Sequence, residues 1–296
     1  MPYRSIFTPT TTKERWKNFD AYWSFCRAHS GELFEDDKDL SLKREQLRYF
    51  REHPVRSRRP LSEPGAFYRN YIDLTDDPAR LDSKTVLLLT IYKFARNEWV
   101  GIEGAWDAIR PMAKITKVTD KISRYHLAEE FCHVRFFDEM FRTFHLDKVD
   151  WVPLPPWLQR VYRIFPHLPG VIMEAPAFVT ELLGLTFYRH VDRLLDDVLG
   201  DEPEARERMR ALLYEIMTDE LAHVGQRRNF LGAVGVRAAR RLVTPIFRAF
   251  LSKIPESTRL FDTEAMIRDG LAFDYSGLPP QVMQHSWVPS YCIVAT

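Results

Sequence analysis

Residues 215–228 read EIMTDELAHVGQRR, and at their centre Glu220 and His223 stand three residues apart. Far upstream, inside HLAEEFCHVRFFDE (126–139), Glu130 and His133 repeat that spacing. On a helix, positions i and i+3 share one face, a turn apart, so each pair aims a carboxylate oxygen and an imidazole nitrogen at one point. Two such pairs on two helices make half of a dinuclear metal site. The other half has to come from carboxylates on further helices.

The periodicity predicts those helices. The first runs from about Asp82 to Ala113, with Asp82 or Ser83 as N-cap and apolar residues at helical spacing. Around Glu98 the same-face residues are Leu87, Ile91, Phe94, Gly101, Ile102, Ala105 and Ile109, whereas Glu103 keeps Arg96, Asp107 and Arg110 for company. Glu98 therefore faces the core and Glu103 faces water. A carboxylate on a core face is costly unless it is paired or binds metal, so a buried salt bridge is the alternative for Glu98. Pro111 to Asp120 reads as a turn. A second helix, Lys121 to Phe144, carries Glu130 and His133 among Ser123, Leu127, Val134 and Phe137. His126, one turn before Glu130, is either a third imidazole near the metals or a core histidine with a hydrogen bond.

A third helix, Gly170 to Leu199, sets Glu181 among Ala177, Phe178, Gly184, Leu185 and Tyr188, small residues that leave room beside the acid. Glu174, near that helix's start, reads as a capping acid. After a turn at Gly200 to Glu204, the fourth helix, Pro203 to Phe230, carries Glu220 and His223, with Glu215 as a non-ligand. Glu98 and Glu130 straddle the first turn, and Glu181 and Glu220 the second. In antiparallel hairpins the paired acids meet at one height. An acid directly precedes each motif glutamate, Glu129 and Asp219, and either can reach a ligating histidine from behind and fix its tautomer.

Residues 1–81 form an N-terminal extension packed on this body, with Trp16, Phe19, Tyr22, Trp23 and Phe25 suggesting a short aromatic-faced helix. Its basic run LKREQLRYFREHPVRSRRP (42–60) reads as a solvated helix and turn. The Pro- and Trp-rich 145–170 suits a crossover along the bundle, with a short helix over Trp157–Phe165. Packing on the bundle is the plainer role for it, and membrane contact the less favoured one. Beyond 230, Val236–Ile254 forms a basic amphipathic helix and Pro255–Thr296 is unassigned. At 296 residues with 45% apolar content, one soluble domain with a sizeable core is expected. A net charge of +1 gives no reason to expect a nucleic-acid partner. The N-terminus lacks the apolar core of a secretory signal, and three cysteines without metal-type spacing fit a reducing, cytoplasmic setting. Leu168–Tyr188 is apolar but carries Glu174 and Glu181, which reads as a buried helix rather than a membrane span.

Glu98, E130-F-C-H133, Glu181 and D219-E-L-A-H223 together resemble the ligand set of the ferritin-like di-iron carboxylate oxygenases: one Glu from each of two helices and a Glu-x-x-His from each of two others. The resemblance covers residues 82–230. It implies an all-α, ferritin-like four-helix bundle within a single domain 1–296, with a long crossover between helices 2 and 3 and with 1–81 and 231–296 as extensions. It also implies a non-haem di-iron oxidoreductase, a monooxygenase that hydroxylates or N-oxygenates a small organic substrate with O2. The cofactor would be two Fe ions, with Mn as a substitute, and carboxylate and imidazole donors suit both metals. Glu98, Glu130 and His133 would hold mainly one ion, and Glu181, Glu220 and His223 the other, with some acids bridging. The chain has no flavin or nicotinamide fingerprint, so a separate reductase is implied; a homodimer is compatible with the resemblance. The family's arylamine N-oxygenases carry an extra histidine four residues before the Glu of their second motif. Here that position is Ile216, and His126 holds the equivalent offset in the first motif. A ferritin-like iron-binding ferroxidase, or a bundle without catalysis, is the alternative.

Overall fold

Asp82 opens the helix that carries Glu98: its side chain accepts the Thr85 backbone N–H at 3.0 Å and so satisfies one of the helix's free donors. The helix ends at Ala108, five residues short of the expected Ala113. Pro111 disfavours helical backbone at Arg110, which explains the early stop. The computed structural model describes residues 3–294 and, within them, every side chain but that of Pro166; residues 1–2 and 295–296, the outer ends of the two extensions, lie outside it. In chain order its helices are α1 (Thr12–Ser30), α2 (Ser41–Glu52), α3 (Pro64–Asn70), α4 (Ser83–Ala108), α5 (Val118–Thr143), α6 (Pro156–Ile164), α7 (Gly170–Val198), α8 (Pro203–Phe230), α9 (Ala233–Leu251), α10 (Thr263–Leu271) and α11 (Pro280–His285). A minimal antiparallel hairpin, Leu33–Phe34 with Asp39–Leu40, pairs Leu33 with Leu40 and links α1 to α2. The protein is all-α.

The long helices pack as the hairpin argument requires: α4 lies on α5, α5 on α8, and α8 on α7. Phe94 of α4 stacks on Phe187 of α7, ring centroids 4.0 Å apart, an aromatic contact worth about 1 kcal/mol beyond the area it buries. The crossover runs along α4. There the Tyr92 hydroxyl donates to the Asp150 carbonyl at 2.7 Å, and the Arg96 guanidinium donates to the Val152 and Pro153 carbonyls. Arg96 is thus buried with its charge solvated by backbone oxygens, not on a water-facing side of the helix.

Both extensions are integral to the core. Helix α1 packs on α5 and α8, and α2 packs on α5. In α2, Lys43, Leu47 and Phe50 are buried at i, i+4 and i+7, so the basic run is not the fully solvated helix its composition suggested. Its spacing is that of a helix with one inward stripe. At the other end α10 and α11 return to the body. The fully buried Arg228 donates to the carbonyls of Ile6, Thr8 and Leu231, tying the N-terminal segment to α8. Among the described residues α7 is the one helix long and apolar enough to cross a membrane; it packs on α8 and α9 and buries most of its apolar side chains.

Candidate metal centre

The two motifs face one another from α5 and α8, and Glu130 lies at the middle. One of its oxygens is 3.1 Å from Nδ1 of His223 and 3.4 Å from Nε2 of His126; the other is 3.3 Å from Nδ1 of His133. Two close groups result, each with its ligand atoms within 4.8 Å of one another: His126, Glu130, Glu181 and His223, and then Glu130, His133 and Glu220. Glu130 belongs to both. The expected division of ligands is not the one the side chains adopt, because Glu220 stands with His133, its Oε1 3.5 Å from Nδ1, and not with His223. The cause is geometric. Across the packed α5 and α8, Glu130 reaches both its own His133 and the facing His223, while Glu220 reaches over to His133.

Glu98 is core-facing but belongs to neither close group. It stands beside Glu220 and accepts the Tyr188 hydroxyl at 2.9 Å. The two carboxylates converge on Gly184, where an added Cβ would meet Glu220 Oε2 at 3.2 Å and Glu98 Oε1 at 3.6 Å. Glycine here keeps that space open. His126, between the core and ligand readings at the level of sequence, lies in the first group. Its ring stacks on His223 at 3.7 Å, and its Nε2 is 3.3 Å from Glu181. Glu181, like Glu98, is only partly enclosed, and it has Arg227 Nε at 3.5 Å. Glu174 does not cap α7: it lies past the first turn with one oxygen buried and unpartnered.

The histidines are held from behind by acids. His133 Nε2 is 3.0 Å from Asp219, and His223 Nε2 is 2.7 Å from Glu129. The bracing is crossed: the acid before each motif glutamate holds the imidazole of the other motif, locking α5 to α8. With Nε2–H donated to a carboxylate, Nδ1 faces the centre and is the nitrogen that offers a lone pair to a metal ion once its proton is displaced. In both rings the buried Nδ1 faces Glu130, at 3.3 Å for His133 and 3.1 Å for His223, without a hydrogen bond of normal geometry, and His126 turns its Nε2 to Glu130 and Glu181. Buried polar atoms are rarely orphaned, and a cluster of such nitrogens among carboxylates fits a bound transition metal.

The charges agree with that fit. Burial raises Glu98, and the neighbouring Glu220 and Glu130 raise it further, to well above the usual carboxylate range. Burial and then Glu130 push Glu220 up to about 7. For Glu130 burial acts upward, but His133 and the close contacts of His126 and His223 outweigh it and hold the carboxyl low. His133 and His223 are raised well above an ordinary imidazole, since Glu130, Asp219 and Glu129 overcome the burial that would lower them. Protons thus occupy the metal-free centre. A divalent ion must displace them, so binding should release protons and tighten as pH rises, with the dependence steepest below the Glu220 value of about 7 and flattening as the raised groups lose their protons. Calorimetric titration with Mn(II) in buffers of different ionisation enthalpy checks this; affinity that is flat with pH and no proton release contradict it.

Residues beyond the sequence reading complete the surroundings. Asp219 Oδ1 accepts from the fully buried Lys43 Nζ at 2.7 Å and lies 3.0 Å from His29 Nε2. On the other side the Ser30 hydroxyl donates to Glu129 Oε1. All three come from α1 and α2. Lys43 had one sequence signal, its place on the Leu47–Phe50 stripe; His29 and Ser30, at the end of α1, had none. Tyr188 was visible only as a neighbour of Glu181, two turns on. The chain matches no protein-family model, no curated protein and no solved structure.

Proposed function

We propose that the protein is a ferritin-like, non-haem dimetal carboxylate enzyme, an oxygenase that uses O2 to hydroxylate or N-oxygenate a small organic substrate. The observation that carries the reading is the Glu130 shared between two imidazole-bearing groups in which His133 and His223 have Nε2 pinned by carboxylates and Nδ1 turned to the centre without a hydrogen bond of normal geometry. His126, Glu130, Glu181 and His223 would hold one ion. Glu130, His133 and Glu220 would hold the other, with Glu98 within reach beside Glu220. Two iron ions bound there would supply O2 activation and the oxidising equivalents, and a separate reductase would return the electrons. The chain's own residues do the rest. Asp219 and Glu129 fix the imidazole tautomers, Tyr188 orients Glu98, and Gly184 leaves the approach to Glu98 and Glu220 unfilled. Carboxylates with raised affinity for protons can also take up or return one beside a reacting ligand.

Anaerobic loading with Fe(II) should give about two ions per chain. Mixing that form with O2 should give a transient visible absorbance, which Glu220→Ala should abolish. No bound iron would sink the reading. Iron that is oxidised and retained with no organic product, whatever amines, phenols or aliphatic compounds are supplied, would favour ferroxidase instead.

A further inference from the structure

We infer that the N-terminal helices α1 and α2 are working parts of the metal centre, with Lys43 and Ser30 as positioning residues, each acting on a different imidazole through a different acid. This rests on the dimetal reading above. The geometry forms two separate chains. In one, Lys43 Nζ sits 2.7 Å from Asp219 Oδ1, and Asp219 Oδ2 sits 3.0 Å from His133 Nε2. In the other, Ser30 donates to Glu129 Oε1, and Glu129 Oε2 sits 2.7 Å from His223 Nε2. In each case one oxygen of the acid holds the ligand histidine while the other is anchored from the extension.

A carboxylate turns about its terminal bond over a broad energy well. Fixing one oxygen therefore fixes where the other points. Asp219 and Glu129 are both enclosed, at 1% and 2% exposure, so water cannot take over the anchoring. Lys43 is itself enclosed, and the charge on Asp219 keeps its ammonium protonated despite burial. His29 adds a second contact to Asp219 Oδ1, 3.0 Å away, and lies 3.0 Å from Lys43 Nζ. Loss of Ser30 leaves Glu129 Oε1 without its anchor, and loss of Lys43 leaves Asp219 Oδ1 with His29 alone; an acid so loosened can swing off its imidazole, which then loses its fixed tautomer and orientation. Removing such partners typically costs 10–100-fold in metal affinity.

The charge of Lys43 acts in the opposite sense. A cation near the centre repels a metal ion, so deleting it by electrostatics alone would tighten binding. The sign of the effect therefore separates anchoring from charge balance.

The test uses the full-length protein and Co(II), whose visible ligand-field bands report coordination number and geometry. Lys43→Met should weaken the step assigned to the His133 group by roughly 10–100-fold and change its band. Lys43→Gln, which keeps an N–H donor, should recover part of both. Ser30→Ala, a milder change that removes one hydroxyl, should perturb the His223 step alone, and Ser30→Thr should restore it. Because the two chains share no residue, the double variant should show both changes independently. Tighter Co(II) binding in Lys43→Met would overturn the inference in favour of charge balance. Unchanged Co(II) affinity and spectra in both single variants would overturn it outright. Failure of the unaltered protein to bind Co(II) would refute the dimetal reading instead.

Discussion

Replacing Glu130 by alanine is expected to remove both metal positions at once, while alanine at Glu181 or Glu220 removes one. Glu130 alone belongs to both close groups and has an oxygen within 3.4 Å of each of three imidazoles. Losing a residue that merely orients a ligand costs about 10–100-fold in affinity. Losing a shared ligand should cost at least that at both sites together. The metal-free fold suffers too. Glu130 is held low because His133, His126 and His223 surround it, and its removal takes one carboxylate from each of three buried rings, leaving His133 with Asp219, His223 with Glu129 and His126 with Glu181. Breaking a buried ionic pair from one side costs roughly 3–5 kcal/mol. His133 and His223 can shed protons to escape part of this, so the loss should fall towards the lower end. Glu130→Gln keeps the volume and one acceptor oxygen; it should fold more stably than the alanine variant and still bind metal poorly. Metal titration and urea denaturation of the three variants give both quantities. Two tightly bound ions in Glu130→Ala would show that Glu130 is not the bridge.

That one residue can carry such weight was partly legible beforehand. The i, i+3 spacing of both motifs, the core-facing Glu98 and the turns at 111–120 and 200–204 lie in local periodicity, which helices express directly. The long helices accordingly fall within a few residues of where the pattern puts them, with Pro111 accounting for the early end of α4. The pairing of Glu220 with His133 was not legible, because it depends on how α5 and α8 cross, which spacing along either helix does not encode. The same holds for the crossed bracing by Glu129 and Asp219: their position before each glutamate marked them as supports, but not for which histidine. Lys43, His29 and Ser30 were hidden for another reason. They precede the motifs by almost a hundred residues or more and act through acids, so no local pattern connects them to the centre. Composition pointed the wrong way for Lys43, since a run rich in arginine and lysine usually belongs in water.

Lys93→Met should be among the most destabilising single changes outside the metal centre, and a second substitution should undo it. Lys93 lies on α4, yet its Nζ is 2.5 Å from Oε1 of Glu256, in the short 3-10 turn Pro255–Arg259 that the C-terminal segment lays against α4. Glu256 is fully enclosed, and neither of its oxygens has a hydrogen bond of normal geometry. The ammonium is therefore what makes a carboxylate tolerable there. Removing it leaves an uncompensated buried charge, a loss of about 3–5 kcal/mol, a large fraction of the 5–15 kcal/mol that ordinarily holds a domain folded. Changing both residues to apolar side chains, as in Lys93→Met with Glu256→Leu, removes the charge and its partner together. Well-packed apolar replacements of buried pairs are commonly neutral or stabilising. Urea denaturation across the double-mutant cycle should thus show a severe Lys93→Met, a comparably poor Glu256→Leu, and a double variant near the starting stability. A double variant as unstable as the sum of the two would mean that the pair is not coupled and that the C-terminal turn is held to α4 by its apolar contacts instead.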